Sequence, residues 1–156
     1  MNNGTINSPT INIVSGTLEG TGTINAAVTS TGIINLDLGG MIVGTLNATG
    51  GAWNGQGSVS GLVTVGSGTF TIGSGANLRA NGGLNVTGTG VIAAASATAK
   101  ITGSVSYLSS ANSTFGGSIA GAGKALTLDF ERARQNGRER DHFADARECD
   151  AEHGHL

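Results

Sequence analysis

A chain of 156 residues with 28 Gly, one Pro, 4% aromatic and 12% charged residues has room for one domain with a buried interior and not comfortably for two. The Gly follows no collagen-like period and Pro9 stands alone, which excludes a collagen helix, while recurrent Ile and Val at a formal net charge of -2 argue against a disordered chain. The same charge provides no basic face for nucleic acid, and the single Cys149 excludes an internal disulfide framework.

From the start, MNNGTINSPT carries neither the basic nor the apolar region of a secretory signal, and no stretch reaches the roughly 20 apolar residues of a membrane span. Export would therefore need a signal that this text does not supply. Short runs with period-two alternation then follow: Thr10–Ile13, Thr23–Asn25, Ile34–Leu36, Val63–Val65, Phe70–Ile72, Leu84–Val86, Val105–Tyr107 and Leu126–Leu128. Each turns an apolar face inward and a Thr, Asn or Ser outward, the pattern of a strand. Between them stand Gly39-Gly40, Gly50-Gly51, Gly66-Ser67-Gly68 and Asn81-Gly82-Gly83, which permit tight bends. No helical period is visible before Leu128, so parallel strands linked by helices are not expected. An all-β sandwich or barrel and a solenoid are left to compete.

Internal similarity favours the solenoid. Glu19–Thr29 (EGTGTINAAVT) aligns without gaps on Asn54–Thr64 (NGQGSVSGLVT), and Gly117–Gly121 echoes Gly57–Gly61. The offsets differ, so the repeat is degenerate and its coils vary in length. Coils of short strands joined at glycine bends and stacked at about 4.8 Å give parallel sheets around a narrow apolar core. Small and β-branched residues fill such a core, while outward Thr, Ser and Asn form ladders. Charges are rare because like charges stacked one coil apart repel along a column.

At Leu128 the text changes. Residues 129–156 hold 13 of the chain's 18 charges, whereas Glu19, Asp37, Arg79, Lys100 and Lys124 are the only charged residues before them. The expected organisation is a parallel β-helix over residues 1–128 and a charged tail over 129–156. In that tail, Arg132, Arg134, Arg138 and Arg140 alternate with Glu131, Glu139 and Asp141, which cancels any basic patch. The tail reads as a helix over Phe130–Glu148 capping the open end of the solenoid, as a disordered extension, or as a shifted reading frame.

Two parts of the chain resemble the autotransporter-associated β-strand repeats of bacterial surface proteins. One is Ser15–Asn25 followed by Val28-Thr29; the other is Ser113–Leu128, with its Phe-x-Gly-x-Ile-x-Gly-x-Gly rhythm. The resemblance implies a right-handed parallel β-helix passenger, displayed outside the cell after passage through a membrane barrel, and often adhesive. Its implied partners are glycans, matrix proteins or cell-surface proteins. The chain departs from the family in having no barrel, few coils and a charged tail.

Candidate chemistry is sparse. Glu19 and Asp37 are 18 residues apart, so a coil of that length would set them on neighbouring coils, near the roughly 5 Å separation of a retaining glycosidase pair. The competing reading is two solvated acids beside turns. Gly20-Thr21-Gly22, Gly55-Gln56-Gly57 and Gly121-Ala122-Gly123 open no helix and lack the Lys-Ser/Thr of a nucleotide loop, so they read as bends. Calcium-binding repeats need Asp in the turns, which lack it. Thr21/Thr23, Thr29/Thr31, Thr69/Thr71 and Thr87/Thr89 raise an ice-binding array, against which their uneven spacing counts. Asn3, Asn47, Asn85 and Asn112 begin Asn-x-Ser/Thr sequons expected by chance in such text. Trp53 and Tyr107 are expected to fill or cap the core rather than form a sugar platform. Cys149, His142, His153 and His155 match no zinc spacing. The reading is a secreted or surface-displayed structural, adhesive solenoid. It carries no catalytic residue, no cofactor and no metal site, and the alternatives are a polysaccharide-acting β-helix enzyme and an ice-binding solenoid.

Overall fold

A computed structural model describes residues 1–121 and the backbone of 126–128. The expectations for the 129–156 tail (its helix over Phe130–Glu148, its arginines, and the group Cys149, His142, His153 and His155) lie outside the described residues. Within them the chain is all-β, and the strands stack in parallel as a β-solenoid of about six turns. The sandwich and barrel alternatives are set aside by this topology, since every strand pair is parallel.

The first coil holds β1 (Thr5–Ile13) and β2 (Thr17–Gly20), and the second β3 (Thr23–Ser30) and β4 (Ile33–Leu36). The third is β5 (Met41–Ile42), β6 (Leu46–Ala48) and β7 (Ala52–Trp53); the fourth is β8 (Ser58–Val59), β9 (Val63–Val65) and β10 (Thr69–Ile72). The fifth is β11 (Asn77–Ala80), β12 (Leu84–Val86) and β13 (Val91–Ala94). β14 (Lys100–Thr102) and β15 (Val105–Tyr107) follow, then β16 (Ser118–Ala120) and β17 (Leu126–Leu128). Three walls result. Wall one runs through β5, β8, β11, β14 and β16, wall two through β6, β9, β12, β15 and β17, and wall three through β2, β4, β7, β10 and β13. The long strands β1 and β3 bend across walls one and two and join them.

The core is a set of stacked columns, because parallel pairing in register sets each inward residue over its counterpart one coil away. On wall two the column is Ile11, Val28, Leu46, Val63, Leu84 and Val105. On wall three it is Leu18, Ile34, Trp53, Ile72 and Ala94. Most of these side chains are fully buried. Coil length is not fixed: Leu46 faces Val63, 17 residues on, and Val63 faces Leu84, 21 residues on. The wider later coils make room for buried Phe70 and Leu78, which have no counterpart in the narrow early ones. Pro9, which has no N–H to give, falls where the β1–β3 register shifts, on the terminal strand, the position a sheet tolerates for Pro.

Corners are set by backbone contact between coils. Gly51 has a φ of 79°, and a Cβ there would collide with the backbone of Thr31 and Gly32 on the preceding coil. Trp53 is wholly buried two residues later, with its Nε1 donating to the Gly55 carbonyl at 3.0 Å and the Asn77 carbonyl at 3.3 Å. One hydrogen bond is to the corner that follows β7 and the other to β11, 24 residues on, so the indole ties coils together as well as filling the core.

Two consequences are measurable by urea unfolding followed through circular dichroism. Gly51→Ala loses about 1–3 kcal/mol from the strained φ alone, and Trp53→Phe, which removes the indole N–H with both of its hydrogen bonds and leaves a smaller ring in the core, loses about 1–3 kcal/mol. Unchanged midpoints for both would contradict the packing described.

Candidate functional surface

The walls, not a cleft, carry the exposed side chains that sequence reasoning singled out. Glu19 and Asp37 lie on adjacent coils but do not stack. On wall three β2 pairs with β4 at an offset of 16 residues, so Glu19 faces Asn35 and Gly20 faces Leu36. The Asp37 amide donates to the Gly20 carbonyl at 3.0 Å. Asp37 therefore sits two positions beyond the partner of Glu19, and the direct juxtaposition expected from an 18-residue coil is replaced by a diagonal one. The Glu19 carboxylate instead lies 4.0 Å from the terminal amine of Met1, with both side chains solvated.

The remaining described charges are isolated by register. Arg79 stands between Ser58 and Thr102, and Lys100 between Asn77 and Ser118. Each column thus holds a charge next to neutral neighbours, which avoids repulsion at one-coil spacing. Among the described residues no group of three His, Cys, Asp or Glu could hold a metal ion, and no helix is long and apolar enough to cross a membrane.

The Gly-x-Gly units at Gly20–Gly22 and Gly55–Gly57 are corners, while Gly121–Gly123 falls partly outside the described residues. A Cβ on Gly55 or Gly57 would meet Leu36 on the coil beneath, so these residues are small to let backbones approach. Trp53, as expected, is core. Tyr107 is half-buried at the C-terminal end, its hydroxyl donating to the Ala111 carbonyl at 2.9 Å. It helps line an apolar cavity of about 220 Å³ with Ile92, Ile101, Val105, Phe115 and Ile119.

The four Thr-x-Thr units do not stack into one array. Thr23 belongs to β3 on wall one, Thr29 to its wall-two half, Thr69 and Thr71 to β10 on wall three, and Thr87 and Thr89 follow β12. Thr31 spends its hydroxyl on the Val14 carbonyl at 2.6 Å. What the sequence did not reveal is a column on wall two. Asn12 faces Thr29, Thr29 faces Asn47, Asn47 faces Thr64, Thr64 faces Asn85, and Asn85 faces Ser106. Two of the chance sequon residues, Asn47 and Asn85, are members. The alignment of Glu19–Thr29 on Asn54–Thr64 held the signal, because it superposes Thr29 on Thr64, which the register places two coils apart.

Comparison with protein-family models, curated proteins and solved structures finds no match to this chain.

The scarcity of charge on the walls predicts a specific failure. Asn47→Lys with Thr64→Lys sets two ammonium groups one coil apart, and the double variant is less stable than the two single changes combined by roughly 0.5–1 kcal/mol at low salt. High salt removes most of that excess. Strict additivity at every salt concentration in a double-mutant cycle would contradict the column register.

Proposed function

We propose that the chain is a structural, adhesive β-solenoid that works outside the cell, as part of a surface-displayed passenger of the autotransporter kind. The observation that carries this reading is the nature of the walls: long parallel faces whose outward positions are filled by Thr, Asn, Ser and Ala in register over coil after coil. Such faces offer many equivalent weak contacts spread along the solenoid. The carboxylates do not stack, which weakens the glycosidase alternative, and the Thr-x-Thr units are dispersed over several walls, which weakens the ice-binding one. Partners suited to such a surface are glycans, matrix proteins and neighbouring cell surfaces, which present repeated groups of their own.

Multivalency sets the expected behaviour. A single solenoid binds weakly, and clustering it raises apparent affinity by about 10²–10⁴ without any new contact. Beads carrying the purified chain at increasing density should be retained on a panel of glycan-coated, matrix-coated and cell-coated surfaces, with retention rising steeply with density. No single outward substitution should abolish retention on the surface that binds. Retention on none of the surfaces, or release of reducing sugar ends that disappears with Glu19→Gln and Asp37→Asn, would overturn the adhesive reading.

A further inference from the structure

The wall-two column differs from the other outward columns in being polar and uncharged at every coil, where wall one is interrupted by Met41 and Arg79 and wall three by Ile33 and Ala52. On wall one two cross-coil pairs bond to each other: Asn25 Nδ2 donates to Asn7 Oδ1 at 2.6 Å, and Thr102 Oγ1 donates to Asn77 Oδ1 at 3.0 Å. The solenoid satisfies those groups internally. Among the described residues, by contrast, the side chains of Asn12, Thr29, Asn47, Thr64, Asn85 and Ser106 make no hydrogen bond, although they stand in an unbroken line of six coils. Asn12, Thr29 and Asn47 are exposed, and the other three are half-buried. None of the described charged residues lies on this wall, since Glu19 belongs to wall three, Arg79 and Lys100 to wall one, and Asp37 to the corner after β4.

The line also has a period. Amide and hydroxyl alternate (Asn12, Thr29, Asn47, Thr64, Asn85, Ser106), so the chemical repeat is two coils, or roughly 9.6 Å at the ~4.8 Å strand spacing. A ligand matched to this track is linear and stiff, repeats on the same step, and carries groups that both donate and accept hydrogen bonds. It has no charge, because no ion on the wall would answer one. An extended chain of equatorially linked pyranose sugars has these properties. It advances by nearly one coil spacing per sugar, and successive sugars are turned over, so that every second unit presents the same edge. Sugar hydroxyls donate and accept, as do the carboxamide of Asn and the hydroxyls of Thr and Ser.

We propose that wall two is a binding track for a neutral, linear, β-linked polysaccharide, lying along the solenoid axis with one sugar over each coil and its two-sugar repeat matched to the Asn/Thr alternation. This rests on the adhesive reading above and narrows it to one wall and one class of ligand. Direct hydrogen bonds at six coils would each contribute little, so affinity grows with the number of consecutive coils engaged.

The test is depletion binding of the full 156-residue chain to insoluble microcrystalline cellulose and to chitin beads, with starch granules as the α-linked comparison and polygalacturonate gel as the charged one. The expected result is binding to at least one β-linked solid and to neither comparison. Asn47→Ala, Thr64→Val and Asn85→Ala combined should weaken it on the order of thirtyfold. Thr17→Val with Thr71→Val on wall three should leave binding unchanged, and circular dichroism checks that each variant is folded. Should the triple variant lose its fold, Thr64→Val alone, which keeps the β-branched shape, should still weaken binding severalfold. Equal binding by folded wild-type and wall-two variants would overturn the proposal. So would binding to starch as strong as to the β-linked solids, or thermal hysteresis without binding to either β-linked solid. If the chain ignores both β-linked solids yet adheres to another surface of the panel above, the track is wrong and the adhesive reading survives; if it adheres to nothing, both fall.

Discussion

Parallel pairing of each coil with the next is the constraint on which the rest of this structure depends. The backbone fixes a step of about 4.8 Å between coils, and every side chain must then be compatible with a near relative directly above and below it. An inward column must fill a narrow core at every level, which selects Ile, Leu, Val and Ala and admits Trp53 only where an adjacent coil supplies the carbonyl of Asn77 to its indole N–H. An outward column must not accumulate like charge, which leaves Thr, Asn and Ser. Corners must let backbone pass close to backbone, which selects Gly at positions such as Gly51 and Gly55. The unusual composition is thus the direct consequence of one repeated hydrogen-bonding step.

The same step turns local chemistry into a surface property. A single exposed Asn on an ordinary strand has little meaning. Placed over a Thr, which is placed over another Asn, it becomes part of a line with direction and spacing. Where the coils pair their amides with one another, as Asn7 does with Asn25, that line reinforces the solenoid. Where the side chains are left unpaired, as on wall two, the hydrogen-bonding capacity is directed at whatever lies against the wall. Strength distributed in this way suits adhesion and does not suit catalysis, which needs groups of different chemistry converging on one point.

Much of the fold could be read from the chain, and the reasons for the rest are physical. The runs ending β1 and forming part or all of β3, β4, β9, β10, β12, β15 and β17 alternate β-branched or other apolar residues with Thr, Asn or Ser and were visible as strands. β5, β7 and β8 are two residues long, too short for any alternation to be seen, and exist because neighbouring coils pair with them. Coil length was not legible, since it is the sum of three walls and their corners, and the corners vary. That is why an 18-residue spacing between Glu19 and Asp37 did not become a stacked pair on a wall whose local offset is 16. The repeated segment Glu19–Thr29 and Asn54–Thr64 was legible as similarity but not as a two-coil unit, because only the register places the intervening Asn47 between Thr29 and Thr64. The echo of Gly57–Gly61 in Gly117–Gly121 carries no such meaning: Ser58 shares a column with Arg79, whereas Ser118 shares one with Lys100.

The central claim, that successive residues of one column are separated by one coil each, is open to direct measurement. Spin labels at Asn12 and Asn85, and separately at Asn12 and Ser106, with Cys149 replaced by Ser, give pulsed dipolar distances across four and five coils. The predicted Cα separations are roughly 19 and 24 Å, differing by one ~4.8 Å step. Distances that are equal within the width of the label distributions, or that shorten from the first pair to the second, would contradict a solenoid stacked in this register.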